Sequence, residues 1–208
     1  MYSQEITYAQ LDKASKILGF KFVKHSPDEV DTNNDHFASL VDEKGKLTRK
    51  LTGEEDRYIQ NERTLCRWDY YYWLTRYHKI LTWEGNRIIH MKPNIAQSIV
   101  LDAVADMEKK AIAIKIQNLK ARQLGITTEG IARVGHRVQF HPNVKAIVGS
   151  ADPSKSEKMF NKMVLSWQNQ PWFLMPGITA QRVGELIEFG GIGSSLSVQH
   201  GNQASWIS

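Results

Sequence analysis

The stretch from residue 111 to residue 149 constrains the fold more than any other part of the sequence. Ala111-Ile112-Ala113-Ile114-Lys115-Ile116 reads as a strand, and a polar turn containing Gly125 follows. Residues 127–140 carry helical periodicity, and Val144-Lys145-Ala146-Ile147-Val148-Gly149 reads as a second strand. Strand, loop, helix, strand is the order of a βαβ unit, which predicts an α/β fold built on a mainly parallel sheet flanked by helices. A further helix over about 154–167 returns the chain to that sheet, and residues 184–189 and 194–200 read as two more strands. The Gly190-Gly191-Ile192-Gly193 cluster between them reads as a hairpin turn, because no helix follows it to present amides to phosphate.

Ahead of this unit the sequence predicts a mostly helical appendage. Ile6, Leu11, Ala14, Ile17 and Leu18 recur at helical spacing and Gly19 stops them. From His25 to Lys50 the chain turns polar and reads as a loop or linker. Thr52-Gly53-Glu54-Glu55 has the composition of a helix start, and helical structure is expected from there toward Tyr77, with a break. Within it, Trp68-Asp69-Tyr70-Tyr71-Tyr72-Trp73-Leu74 concentrates aromatic rings; helical aromatics mostly pack, so these are expected to wedge the appendage against the main domain rather than to stack on bases. Residues 80–83 and 87–91 flank Glu84-Gly85-Asn86 as a hairpin, and after Pro93 the run Ile95, Ile99, Val100, Ala103, Val104 and Met107 marks an amphipathic helix. The expected divisions are 1–50 for the N-terminal helix and linker, 51–110 for the helical and hairpin lead-in, and 111–208 for the α/β core.

At 208 residues with 41% hydrophobic content, the chain has material for one sizeable core and not for two large ones. A net charge of +5 makes a polyanionic partner plausible without specifying one. The single cysteine, Cys66, excludes an internal disulfide and a cysteine-based zinc site and is expected to be a half-buried structural thiol. No stretch approaches the roughly 20 apolar residues that span a bilayer, and the start has no signal-peptide pattern, which predicts a soluble intracellular protein. His90, His136, His141 and His200 lack metal-ligand spacing and read as structural or surface residues.

The chemistry is expected in the loop Lys120-Ala121-Arg122-Gln123-Leu124-Gly125-Ile126-Thr127-Thr128. A standard phosphate loop reads G-x-x-x-x-G-K-[ST] between a strand and a helix, where backbone amides cradle phosphate. Here Lys120 stands in place of the first glycine and Ile126 in place of the lysine, so the pattern fails as written. The physical parts are nevertheless present in another order. Gly125 permits a tight turn, Thr127 can offer a hydroxyl to Mg²⁺, Thr128 can support the helix start, and Lys120 or Arg122 can bring positive charge to phosphate. The alternative for Lys120 and Arg122 is a pair of solvated loop cations.

This loop resembles the deviant Walker A loop of the large terminase subunits of tailed bacteriophages, where R-Q-x-G-x-[ST]-[ST] recurs and the lysine is often displaced to the loop's start. Upstream, Leu51-Thr52-Gly53-Glu54-Glu55, Asn61-Glu62-Arg63-Thr64-Leu65-Cys66 and Tyr70-Tyr71-Tyr72-Trp73-Leu74 resemble the aromatic lead-in of those proteins. Lys92-Pro93-Asn94-Ile95-Ala96-Gln97 resembles their adenine-recognition segment, and Ile147-Val148-Gly149-Ser150-Ala151-Asp152 their second strand and coupling segment. The resemblance covers about residue 51 to the end.

It implies a P-loop ATPase that drives double-stranded DNA into a procapsid, with ATP and Mg²⁺ as cofactors. The nucleotide-binding set it implies is Lys120, Arg122, Gln123, Gly125, Thr127 and Thr128, with Thr127 on the metal and Gln97 reading adenine; a surface-helix role for Gln97 stays equally open. Implied partners are a portal protein, a small terminase subunit and further copies in a ring, in the host cytoplasm and transiently docked on the procapsid. The family's hydrolytic Asp-Glu pair, on a later strand, has no counterpart between Val148 and Ser208, so the catalytic residues stay unassigned and the ATPase part is expected to be truncated, without the nuclease domain. Glu185 and Glu188 read as solvent-facing charges. Two rivals remain: another P-loop translocase such as a helicase, and a non-catalytic DNA-binding assembly module whose lysine and arginine meet DNA phosphate.

Overall fold

A computed structural model describes residues 4–82, 87–118, 124–150 and 152–200. It is a mixed α/β protein whose described residues form seven α-helices and two sheets. Helix α1, Gln4–Leu18, ends at Gly19, whose φ of +74° is a conformation glycine adopts without strain. The segment expected to be a linker instead carries α2, Pro27–Ala38. Its polar composition hid local signals that suffice for a helix. Ser26 and Glu29 cap each other's backbone amides, Pro27 sits in the first turn, and Val30 and Phe37, seven residues apart, are buried on one face. Two buried side chains thus anchor a helix that is otherwise polar.

Helices α3, Gly53–Trp68, and α4, Tyr70–Arg76, break at Asp69, whose carboxylate accepts from the Tyr72 amide and restarts the helix. Thr52 and Glu55 form the capping box that opens α3. The rings of Tyr70, Tyr72 and Trp73 are buried while Tyr71 is exposed, so three of the four rings from 70 to 73 pack inside the protein. Cys66 is fully buried rather than half-buried, and burial pushes its thiol well above the ordinary range.

Strands β1, Lys79–Leu81, and β2, Ile88–His90, form the expected antiparallel hairpin; its turn, Glu84-Gly85-Asn86, lies outside the described residues. Helix α5, Ile95–Lys109, follows, but it buries Gln97, Leu101, Val104 and Ala105 and leaves Ile95 and Ile99 exposed. The apolar run chosen from sequence therefore located the helix and, with Val104, only part of its inner face.

The largest difference concerns residues 111–116, expected as the strand ahead of the loop. They form no strand, and Ile112, Ile114 and Ile116 are exposed. Helix α5 closes with Ala111 at φ +53° while the Ile112 amide reaches back to Met107 O, and the chain then runs on without a ladder partner among the described residues. Strand propensity is realised only where a neighbouring strand completes the backbone hydrogen bonds.

Helix α6, Ile126–Phe140, strand β3, Lys145–Ser150, and helix α7, Pro153–Gln168, stand where the sequence places them. The sheet beyond is mixed rather than mainly parallel, in the order β3-β6-β5-β4. Strand β6, Ser194–His200, runs parallel to β3 from Lys145 opposite Ser195 to Ser150 opposite His200. Strand β5, Leu186–Phe189, is antiparallel to β6, and β4, Ile178–Arg182, which the sequence did not announce, is antiparallel to β5. Alternation is weak in β4 because all but one of its residues are exposed. No helix of the described residues is long and apolar enough to cross a membrane.

One hydrophobic cluster joins Val30 and Phe37 of α2, Trp73 of α4, Met163 of α7 and Phe189 and Leu196 of the sheet. Helices α6 and α7 meet closely at Gly135, where an added Cβ would stand 2.0 Å from Met163 Sδ. Met163 is fully buried and has little room to yield. Gly135→Val is expected to destabilise the protein by about 1–3 kcal/mol through overpacking, with much of the loss recovered in Gly135→Val/Met163→Ala. Urea midpoints measure both, and additive losses in the double variant would show that the contact is not the cause.

Candidate functional site

The candidate loop delivers the chain into the N-terminus of α6. Lys120, Arg122 and Gln123 lie outside the described residues, whereas Gly125, Thr127 and Thr128 are described. Gly125 takes φ +71° as the residue before the helix, a left-handed conformation that costs most other residues about 1–2 kcal/mol. Its carbonyl accepts from the amides of Thr128 at 3.0 Å and Glu129 at 3.1 Å, and no side chain among the described residues caps the helix. With the Thr128 and Glu129 amides taken by Gly125 O, the amides of Ile126 and Thr127 have no acceptor among the described residues, and they present donors at the positive end of the helix dipole.

Thr127 is exposed at this start, and Ile126, which occupies the place of the usual lysine, is buried at 8% exposure. A side chain packed inward cannot deliver charge to a ligand outside. A cation does reach the first turn from elsewhere: Lys162 of α7 donates to Thr128 Oγ1 at 3.2 Å. No local pattern in the sequence announced Lys162, which lies 34 residues from Thr128 and is placed by the packing of α7 on α6.

The side-chain amide of Gln97 is hydrogen-bonded at both ends, and one of those bonds reaches the loop. Oε1 accepts from the Asn94 amide at 2.9 Å and closes the capping box of α5, while Nε2 donates to Gly125 O at 2.9 Å. Asn94 completes the cap, accepting from the Gln97 amide at 3.0 Å, and its Nδ2 donates to Leu124 O at 3.2 Å. Two adjacent carbonyls of the loop are thus held by two side-chain amides from the start of α5. Asn94 stood out in the sequence for no role of its own, although the N-x-x-Q pattern of a capping box was there to find.

Under the loop, α6 turns ionisable groups inward. Glu129 is 2% exposed and accepts from Arg133 Nε at 3.3 Å and from the Tyr70 hydroxyl at 3.4 Å. Burial pushes its carboxyl up, against Arg133 and the Tyr70 hydroxyl, which hold it down. The Arg133 guanidinium lies 4.2 Å from the Tyr70 ring centre, and Arg133 and Arg137 both approach Glu108 of α5. Further along the helix, His136 is fully enclosed with Nε2 2.7 Å from Cys66 O, and burial pulls its pKa down to about 3. These groups fix α6 against α3, α4 and α5, while Thr127 in its first turn stays exposed.

The remaining candidates divide cleanly. His90 is bonded to Asp31, and among the described residues no group of three His, Cys, Asp or Glu could hold a metal ion. Glu185 is exposed ahead of β5, and Glu188 is half-buried within β5, paired with Ser195 of β6. Comparison of the sequence with known protein families and with curated proteins returns no match.

Proposed function

We propose that residues 120–128 bind the phosphates of ATP, and that the chain is the ATP-binding part of a phage large terminase subunit, the motor for packaging double-stranded DNA. The observation that carries the reading is the junction itself: a basic loop enters an uncapped helix through a left-handed glycine, with a threonine hydroxyl exposed beside it. Backbone amides at the start of α6 would donate to the phosphate oxygens, and Lys120 and Arg122 would balance their charge. The Thr127 hydroxyl would take one position on Mg²⁺, with phosphate oxygens and water completing the oxygen shell. Hydrolysis would need an acidic residue and a water-orienting residue, which none of the described residues is assigned to supply, so binding without turnover is the activity proposed. Double-stranded DNA, a portal protein, a small terminase subunit and a ring of further copies are the partners this function would require.

A second reading is favoured by one finding, the absence of a strand at 111–118, since a phosphate loop ordinarily springs from a strand of the sheet. In that reading the basic loop contacts DNA phosphate in a non-catalytic module. The test measures a fluorescent Mg·ATP analogue with ATP competition for the wild type, Lys120→Ala and Arg122→Ala. Saturable binding weakened about 10- to 100-fold by either substitution is the result expected, the size of a lost charge-assisted hydrogen bond. Variants indistinguishable from wild type would overturn the phosphate-loop assignment, and DNA binding that falls steeply with salt and ignores Mg·ATP would establish the second reading.

A further inference from the structure

We propose that Gln97 and Asn94 are positioning residues that clamp the loop, and that Gln97 acts alike on every nucleoside triphosphate instead of selecting adenine. The proposal rests on the nucleotide reading for its ligand and on the geometry of α5 and α6 for its mechanism. Pairing with an adenine edge requires a primary amide to show its N–H and C=O side by side to the base. Gln97 turns them to two different protein groups, Oε1 to the Asn94 amide and Nε2 to Gly125 O. At 6% exposure the residue has no free edge to offer a purine.

The clamp acts where the loop is most sensitive. Gly125 O, which receives Gln97 Nε2, is the same carbonyl that accepts the Thr128 and Glu129 amides and so defines where α6 begins. Gln97 Nε2 also fills the space a side chain at 125 would need, standing 2.6 Å from the Cβ such a residue would carry. Asn94 Nδ2 secures the preceding carbonyl, at Leu124. Any ligand held by amides at the start of α6 therefore gains from these two side chains, whatever its base.

Isosteric variants separate the clamp from the helix cap. Gln97→Glu keeps the acceptor that caps α5 and removes the donor to Gly125 O; Asn94→Asp keeps its cap and removes the donor to Leu124 O. Gln97→Met removes both functions without adding charge and so controls for repulsion of phosphate by the new carboxylate. Two readouts are taken on the full chain: amide hydrogen exchange at Thr128 and Glu129 without nucleotide, and competition by ATP and GTP against a fluorescent triphosphate. The expected result for Gln97→Glu and Gln97→Met is exchange faster by about 2- to 10-fold, the scale of one neutral hydrogen bond, and weakening of ATP and GTP by one common factor.

Loss confined to ATP would overturn the proposal and make Gln97 an adenine reader. Unchanged exchange would overturn the clamp. If the wild type binds neither nucleotide, the reading of the loop as a nucleotide site fails, the base-blind role fails with it, and exchange alone decides whether the clamp exists.

Discussion

Acidification from pH 7 to pH 4 is expected to destabilise the protein by several kcal/mol, because two histidines are enclosed in their neutral form. Burial pulls the pKa of His78 and of His136 down to about 3, from 6.5 in an unfolded chain. His78 Nδ1 pairs with Ser166 Oγ at 2.8 Å and His136 Nε2 with Cys66 O at 2.7 Å, and among the described residues neither ring is paired with a carboxylate that would stabilise a charge. Between about pH 6.5 and pH 3 the unfolded chain binds protons that the folded rings refuse. Stability contributed by these rings is therefore complete above pH 6.5 and declines as the pH falls through that window, by roughly 3 kcal/mol for each ring at pH 4.

Two buried carboxyls act in the opposite sense. Burial raises Glu62, which accepts from Tyr77 at 2.6 Å, Tyr72 at 2.9 Å and Asn61 at 2.8 Å, and burial also raises Glu129. Above 4.5 the folded state retains carboxyl protons that the unfolded chain has released, so these groups favour folding as the pH drops toward that value and make the decline shallower. Urea midpoints at pH 7, 6, 5 and 4 measure the net slope, and His136→Gln should flatten it. A stability that stays level from pH 6.5 to 4 would show that the histidine rings are not held neutral.

What could be read from the sequence, and what could not, follows from how local each signal is. The start of α3 was legible from its cap, and α6 and α7 from the periodicity of neighbouring residues; α2 has the same kind of cap as α3, but its polar composition obscured Ser26 and Glu29. The hairpin at β1 and β2 was legible for the same reason, through turn residues between apolar runs. Residues 111–116 misled because a strand is a pairwise property: alternation shows that a segment suits a sheet, and only a partner makes it one. At the candidate site, Gly125 and Thr127 could be named from their residue types. The bond from Lys162 to Thr128 and the hold of Gln97 on Gly125 O depend on which helices pack together, which no local pattern encodes.

Trp73→Ala is expected to cost about 3–5 kcal/mol, and the cost should be felt at the loop as well as in global stability. Trp73 is fully buried, with ring centres 5.1 Å from His136 and 6.2 Å from Phe140 of α6, and 5.9 Å from Tyr70 of α4. Its Nε1 donates to Gln170 Oε1 at 3.4 Å, but that oxygen also accepts from Gln139 Nε2 at 2.7 Å, so deleting the indole orphans no acceptor. The loss is one of packing: a cavity opens against the inner face of α6, the helix whose first turn carries the candidate loop. Trp73→Phe retains most of the volume and should cost appreciably less, so equal costs for the two variants would exclude the cavity as the cause. If α6 transmits the change, exchange at Thr128 and Glu129 should accelerate in Trp73→Ala beyond what global unfolding accounts for. The same burial bears on the aromatic cluster's role, since a ring enclosed on all sides cannot stack on a base. Trp73 emission should be insensitive to added DNA, whereas quenching that disappears in Trp73→Phe would mean that α4 opens to expose its rings and that their packing against α6 is not permanent.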